Sequence, residues 1–457
     1  MIQYKFEDES FLKENEHRKL CDNSSIIDQD DIGKLIVLYY NLINSIKKED
    51  INNYLTLINE IIINNNDSIS FGFPIQEILN YSFQIFENND ESVKVKCFET
   101  MITILQNFYF QNDSKIGNYY HENNFHHIIH FIYSNNNEDY HPNIILYIIR
   151  IYSSTCIEAR DSIIGIFGFP FFQQFIQTRN SECLKHVISC FTEFFKYPLD
   201  VHTLSSLFCL LYEMSSIEDD EIIIEILNCL KKSMNQKDWE IFFIENKLHR
   251  FVHHTLTIDN NNSKELSIEI LNVYSVGFPI RVKILETIIN EFLKEEISVS
   301  EKYSILTVEI FTNHMHRDYE REILLKQGMI FVLLNFFENG TFSIKVAVLR
   351  TIIEMTKFGN LDQKKLVFEY NMMDMFFSVI QSNDIPITID ILDTLLILLS
   401  ITGNDNLDQT FMKQLNECDG LNYISELSYH ENNEIHSKAL LVLDKINDII
   451  SSEDKNT

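Results

Sequence analysis

Histidines are the residues whose spacing comes nearest to a recognisable chemistry. They cluster at His121, His126, His127, His130 and His141. His126 and His130 are four residues apart and would share one helix face, as two zinc ligands on a helix do. No HExxH motif accompanies them, and no second histidine follows His121 at the required place. We therefore expect polar, half-buried histidines and no metal site.

Motifs for phosphate binding and nucleophilic catalysis are missing. The sequence has no GxxxxGK[ST] loop and no GxSxG elbow. Its eight cysteines include no CxxC pair. No general acid, base and nucleophile occur together, so we predict that the protein is not an enzyme and takes no cofactor.

Charge narrows the range of partners. The 37 basic and 67 acidic residues give a net charge of −30, which repels the phosphates of nucleic acids and anionic membranes. The longest apolar runs, such as residues 395–399, fall far short of the roughly 20 residues that span a bilayer. The acidic N-terminus lacks the basic and then apolar regions of a signal peptide. We expect a monomeric protein of the cytoplasm or nucleus that binds proteins, with no nucleic acid or membrane partner.

Helical periodicity organises the chain into repeats. Apolar residues recur at i, i+3, i+4 and i+7 in most segments, and only 11 Gly and 6 Pro supply turns. The string IEILN occurs at 224–228 and again at 268–272. Equivalent apolar positions, which we call anchors, recur about every 43 residues, within the period of armadillo and HEAT repeats. The anchors are Leu55, Phe98, Ile145, Ile188, Ile224, Ile268, Ile305, Leu349, Leu392 and Leu440.

Hinges and turns keep phase with the anchors. An Asn-rich turn precedes most anchors, and a helix-breaking hinge lies about 20 residues upstream of them. Gly-Phe-Pro triplets begin at Gly72, Gly168 and Gly277, with Gly ending one helix and Pro starting the next. Each repeat is thus a short first helix, a second helix and a long third helix. The hinges are Gly168, Gly328 and Gly420, with Asn124, Lys247 and Asn371 in the same place elsewhere.

These signals predict an all-α fold, a right-handed superhelical solenoid of about ten armadillo or HEAT-like repeats. It covers residues 32–450, after an acidic, flexible segment (1–31) and before a polar tail (451–457). The short intervals 188–224 and 268–305 predict two repeats without the first helix. Several unrelated helical bundles are the alternative, but these would not keep hinges, turns and anchors in one phase.

The last repeat resembles the C-terminal armadillo repeat of importin-α, the nuclear-import adaptor. The likeness lies in the hinge around Gly420-Leu421, the turn His430-Glu431-Asn432 and the third-helix start from Glu434 to Ala439. The layout of about ten repeats is similar over residues 32–450. This resemblance implies a concave groove, lined by third helices, that binds basic peptides. It also implies importin-β binding through a basic N-terminal segment.

Two features depart from that family. Residues 1–31 contain four basic and nine acidic residues, so importin-β binding is not supported. The family's Trp and Asn, four residues apart on successive third helices, are absent. The single tryptophan, Trp239, has Phe243 four residues later and lies outside the anchor helices.

The residue after each anchor is the best candidate for the vacant Trp position, and most of these residues are acidic. We hypothesise that this groove binds basic protein segments with a salt-sensitive grip. The competing interpretation is that these are solvated charges on amphipathic helices, in a generic regulatory or scaffolding subunit without a transport role. The candidates are Glu99, Ser189, Glu225, Glu269, Arg350 and Asp393, with Glu193 and Glu354 at the former Asn position.

Overall fold

The computed structural model describes residues 29–45, 47–65, 74–88, 91–111, 114–134, 142–293, 300–380, 384–401 and 407–453. Within these ranges the chain forms helices joined by turns, without a β-strand. It divides into two compact units, residues 1–197 and 198–457. The all-α prediction is confirmed, and none of the described helices is long and apolar enough to cross a membrane.

The N-terminal unit contains the described parts of repeats one to four. The third helices, α2, α4, α7 and α9, pack on one another in that order. The helices are α1 (Gln29–Ile43), α2 (Lys48–Asn64), α3 (Ile75–Asn88), α4 (Glu91–Gln111), α5 (Ser114–Glu122), α6 (Phe125–Ser134), α7 (Pro142–Ser153), α8 (Ile157–Thr178) and α9 (Ser181–Phe194).

The C-terminal unit contains repeats five to ten. Its third helices, α11, α14, α16, α19, α22 and α25, again pack in sequence order. The helices are α10 (Val201–Met214), α11 (Asp220–Ser233), α12 (Trp239–Glu245), α13 (Leu248–Thr255), α14 (Asn261–Gly277), α15 (Val282–Phe292), α16 (Glu301–His314), α17 (Asp318–Lys326), α18 (Met329–Asn339), α19 (Phe342–Phe358), α20 (Leu361–Glu369), α21 (Met373–Ile380), α22 (Ile385–Ile401), α23 (Leu407–Glu417), α24 (Gly420–Leu427) and α25 (Asn433–Glu453).

Each of the ten anchors lies on a different third helix, as the period predicts. The two short intervals hold two-helix repeats, because only α10 separates α9 from α11 and only α15 separates α14 from α16. In α8 the first and second helices are joined across a kink at Gly168. From the third repeat to the tenth, the repeat is therefore the three-helix armadillo unit, with its first helix omitted twice.

Left-handed residues form the hinges between first and second helices. Positive φ angles occur at Asn124, Gly168, Lys247, Gly328 and Asn371, which are five of the six predicted hinges. The sixth prediction is wrong by one residue, because Asp419, and not Gly420, has the positive φ of 53°.

Gly420 has a different role, which is close packing. A Cβ there would lie 2.6 Å from Leu415 Cδ1 and 2.6 Å from Phe377 Cε2. The prediction that each Gly-Phe-Pro triplet ends one helix and starts the next is right for one described triplet and wrong for the other. Gly72 and Phe73 of the first triplet lie outside the described residues. The prediction is right at Gly168, but after Gly277 the next helix begins only at Val282, beyond the proline.

The predicted termini fall mostly outside the described residues. Helix α1 begins at Gln29 and α25 continues to Glu453, so the described helices extend slightly beyond 32–450 at both ends. Residues 1–28 and 454–457 are not described, and the N-terminal segment stays a prediction.

The kink in α8 offers a matched pair of glycine substitutions. Gly168 has φ 67° and ψ 172°, a region that is essentially restricted to glycine. Gly165, one turn earlier, is exposed with no atom within 4 Å of an added Cβ. We expect Gly168→Ala to lower the free energy of unfolding by about 1–3 kcal/mol. Gly165→Ala should raise it by about 0.5–1 kcal/mol. Urea unfolding of both variants measures this, and equal effects would contradict the assignment of the hinge.

Candidate binding surface on the third helices

The N-terminal caps fix a common register on the third helices. The side chains of Asn180 and Asn260 accept hydrogen bonds from the first turns of α9 and α14, and Asp384 does so for α22. Ser189, Glu269 and Asp393 each lie nine residues after these caps. Each follows a fully buried apolar residue. Arg350 holds the same place in α19, nine residues after its cap Thr341.

Helix α11 departs from the predicted register. Glu225 lies only six residues after its cap, Asp219. The predicted anchor, Ile224, is half-buried, whereas Leu227 is fully buried. The residue that matches the other helices is therefore Asn228, one turn beyond Glu225. Helix α16 shows the same offset, since Ile305 is half-buried and the matching residue after the cap Ser300 is Glu309.

Glu269 is the most enclosed carboxylate among the candidates. Its side chain is only 9% exposed, and Lys231 Nζ from α11 lies 2.5 Å from Oε2. Lys302 from α16 contacts the other oxygen and lies 3.9 Å from Glu265. Glu269 thus bridges lysines from the third helices on either side of its own. The two ammonium-bearing side chains are 45% and 58% exposed, so the cations face solvent while the carboxylate does not.

The other acidic candidates also have cationic neighbours. In the C-terminal unit, Asp393 pairs with Lys438 of α25, and Glu354 lies 3.6 Å from Lys357. In the N-terminal unit, Lys96 Nζ is 2.5 Å from Glu99, and Arg150 is 4.0 Å from Glu193. Ser189 is half-buried and Arg350 is exposed. The structure therefore places Glu269, Arg350 and Asp393 at one register position on stacked third helices, while Glu225 lies outside that row. Glu269 and Asp393 are already paired with lysines.

Amide side chains complete this polar row and were missed from the sequence. Asn272 donates to Glu309 Oε2 at 2.8 Å, and Asn313 donates to Ser275 Oγ at 2.8 Å. These bonds link α14 to α16. Glu309 and Asn313 are four residues apart at the two predicted groove positions. Counting from the cap at Ser300, instead of from the most apolar residue, would have found them.

Of the five predicted histidines, His126 is buried, His121 is half-buried, His127 and His130 are exposed, and His141 lies outside the described residues. His126 is 6% exposed, and its ring centroid lies 5.7 Å from that of His121 and 4.5 Å from that of His127. Burial, followed by the charges of His127 and His121, lowers the pKa of His126 to about 4. Within the described ranges no three histidine, cysteine or carboxylate side chains converge as metal ligands would.

His314 has a defined structural role at the end of α16. The ring is fully buried, Nδ1 lies 2.8 Å from the carbonyl oxygen of Ile310, and Nε2 accepts from the N–H of Ile280 at 3.1 Å. These contacts assign the proton to Nδ1 and leave Nε2 unprotonated. Burial accordingly lowers the pKa of His314 to about 4.

Comparison with known proteins supports the class of fold. No family model and no curated protein matches the sequence. A solved structure described as an engineered protein is similar, with a TM-score of 0.65 and 12% identity, over 91% of this chain and 99% of that one. A designed armadillo repeat protein in complex with the peptide (KR)4 has a TM-score of 0.37 and 11% identity, over 61% and 99% of the two chains. The chain is thus an all-helical protein whose three-helix repeats stack in the armadillo manner, and the engineered protein has a similar fold.

The buried histidines predict loss of stability in acid. His126, His249 and His314 all have their pKa lowered to about 4, chiefly by burial. An unfolded histidine has a pKa of about 6.5. The unfolded chain therefore binds protons first as the pH falls, so we expect the free energy of unfolding to decline between about pH 6.5 and pH 4.

His314→Gln should make this decline shallower by about one proton. The exposed His316→Gln is the matched control for a histidine-to-glutamine change close to the end of the same helix. Chemical denaturation at a series of pH values measures the slope, and a His314→Gln variant with the full wild-type dependence would contradict the assignment.

Proposed function

We propose that this protein is a non-enzymatic scaffold whose third helices in the C-terminal unit bind a lysine- or arginine-containing segment of another protein. The observation that carries this proposal is that candidate carboxylates form ion pairs with lysines of neighbouring third helices. Glu269 holds the ammonium groups of Lys231 and Lys302, and Asp393 holds that of Lys438. These positions already accept ammonium groups delivered from a neighbouring helix.

Binding would then be an exchange of cations. The Lys302 side chain is 58% exposed, so its ammonium group can leave Glu269 for water, while Lys231 remains paired with the other carboxylate oxygen. A lysine from a partner can therefore replace Lys302 at Glu269 with little loss to the protein. The net charge of −30 would draw a basic segment toward the surface. Because the groove candidates include no aromatic residue, we expect an affinity that depends strongly on salt and weakly on sequence.

A role as an importin-α-like import adaptor is the narrower form of this proposal. The residues that resemble importin-α make structural contacts, which favours the generic scaffold over the import adaptor. Asn432 caps α25 by accepting from the N–H groups of Glu434 and Ile435. Ala439 is buried, and Lys438 binds Asp393. These contacts account for these residues without any transport activity.

Pull-down with importin-β separates the two forms of the proposal. Retention of importin-β by the full chain would favour an import adaptor. Its absence, alongside capture of a basic peptide, would favour the generic scaffold.

Substitutions at Glu269 and Lys302 test the exchange. A fluorescent lysine- and arginine-rich peptide is titrated with the full chain at low and at physiological ionic strength, and its anisotropy is measured. We expect Glu269→Gln to weaken binding about fivefold, equivalent to about 1 kcal/mol. Lys302→Met should strengthen it, because the competing ammonium is gone.

Glu322 and Lys326 provide controls of matched charge, because they pair with each other on the first helix α17. Glu322→Gln and Lys326→Met should bind the peptide as the wild type does. Absence of binding at low ionic strength, or equal effects of the groove and control variants, would overturn the proposal. Thermal unfolding of every variant confirms that the fold is retained.

A further inference from the structure

The seventh repeat is one of two, among repeats three to ten, that have no first helix. Helix α14 ends at Gly277 and the next helix, α15, begins at Val282. Phe278 is extended, with φ −129° and ψ 145°. A short loop, residues 278–281, therefore takes the place of a helix, and its surroundings must satisfy its polar groups.

The loop is held in a fixed position by the neighbouring helices. The Ile280 N–H donates to buried His314 at 3.1 Å, and the Phe278 ring stacks on Tyr274 with centroids 5.4 Å apart and an interplanar angle of 19°. Asn313, beside His314, donates to Ser275 at 2.8 Å. Loop, α14 and the end of α16 thus form one packed assembly.

Two arginines flank this assembly. Arg281 directly follows Ile280, and the Arg317 N–H bonds the carbonyl oxygen of His314 at 3.1 Å. The hydrogen bond between Ile280 and His314 therefore brings the backbones of the two arginines to the same end of the repeat. Burial raises the pKa of the nearby Tyr274 hydroxyl, and the charges of Arg281 and Arg317 oppose that rise.

Neither guanidinium has a partner among the described residues. One terminal nitrogen of Arg317 is buried without a hydrogen-bond acceptor, and Arg281 is exposed and forms no side-chain cap on α15. The two fully enclosed arginines of the described chain, in contrast, both have hydrogen-bond partners. Arg160 is bound by Asp161 and the carbonyl of Tyr197, and Arg321 by Asp318 and Gln363.

Unpartnered arginines are unexpected in a chain with a net charge of −30. A buried cationic donor without an acceptor is costly, so an anion that reaches Arg317 would be bound favourably. Planar guanidinium groups match the oxygen atoms of phosphate in pairs. The amides of Val282 and Lys283, in the first turn of α15, have no helical acceptor and could donate to the same group.

We propose that Arg281 and Arg317 form an anion site that binds a phosphate group carried by a partner protein. The loop that replaces the first helix of the seventh repeat makes room for it. This site is separate from the proposed binding of basic segments, and either can fail without the other. Free inorganic phosphate has the same chemistry and is the alternative source of the ligand.

The single tryptophan is a built-in reporter for this site. Trp239 is 2% exposed, and its ring centroid lies 6.4 Å from that of Tyr274. Binding beside Tyr274 is therefore expected to alter the tryptophan emission. Calorimetry measures the same binding without relying on fluorescence.

The experiment titrates the full chain with a phosphoserine peptide, with the same peptide unphosphorylated, and with inorganic phosphate. We expect saturable binding of the phosphopeptide and none of the unphosphorylated peptide. Arg281→Gln and Arg317→Gln should each weaken binding about tenfold, as loss of a charged hydrogen bond does. Lys326→Gln, which removes one positive charge from exposed α17, should bind as the wild type does.

Three outcomes decide the proposal. Tighter binding of the phosphopeptide than of inorganic phosphate supports a partner-borne ligand. Equal affinities, with loss in both arginine variants, keep the anion site but overturn its assignment to a partner protein. No saturable binding by calorimetry, or arginine variants with wild-type affinity, overturns the site itself.

Discussion

A third helix in this protein cannot bury its apolar side within its own repeat, and the rest of the structure follows from that constraint. Ile268 is fully buried because α14 packs between α11 on one side and α16 on the other. Within each unit the same arrangement recurs from one third helix to the next. Stability then arises at the contacts between neighbours, as expected of stacked repeats.

Stacking also determines which polar side chains of the third helices become neighbours. Residues at one register position on consecutive helices become neighbours although about 40 residues of chain separate them. A carboxylate such as Glu269 is therefore placed between lysines of two other repeats. The net charge at these third-helix positions depends on such pairs, and a count of acidic residues alone overstates their negative potential.

The boundaries of the repeats could be predicted from the sequence, but the ion pairs between repeats could not. The period, the hinges at Asn124 and Lys247, and the two omitted helices could all be read from the chain, because each is a local signal. The register of α11 could not, since Ile222, Ile223, Ile226 and Leu227 are all buried and the apolar pattern fits more than one phase. The ion pair between Asp393 and Lys438 joins residues 45 positions apart. Only the fold reveals such a contact.

The two repeats that lack a first helix show which parts of the unit maintain the array. Helix α16 keeps its place between α14 and α19, and α15 packs on α17 and α18, although only a short loop precedes α15. The first helix is therefore an outer layer whose presence varies while the phase of the third helices persists. Changes in chain length, through insertion or deletion during evolution, are best tolerated at that layer, because such changes leave the order of stacked third helices intact.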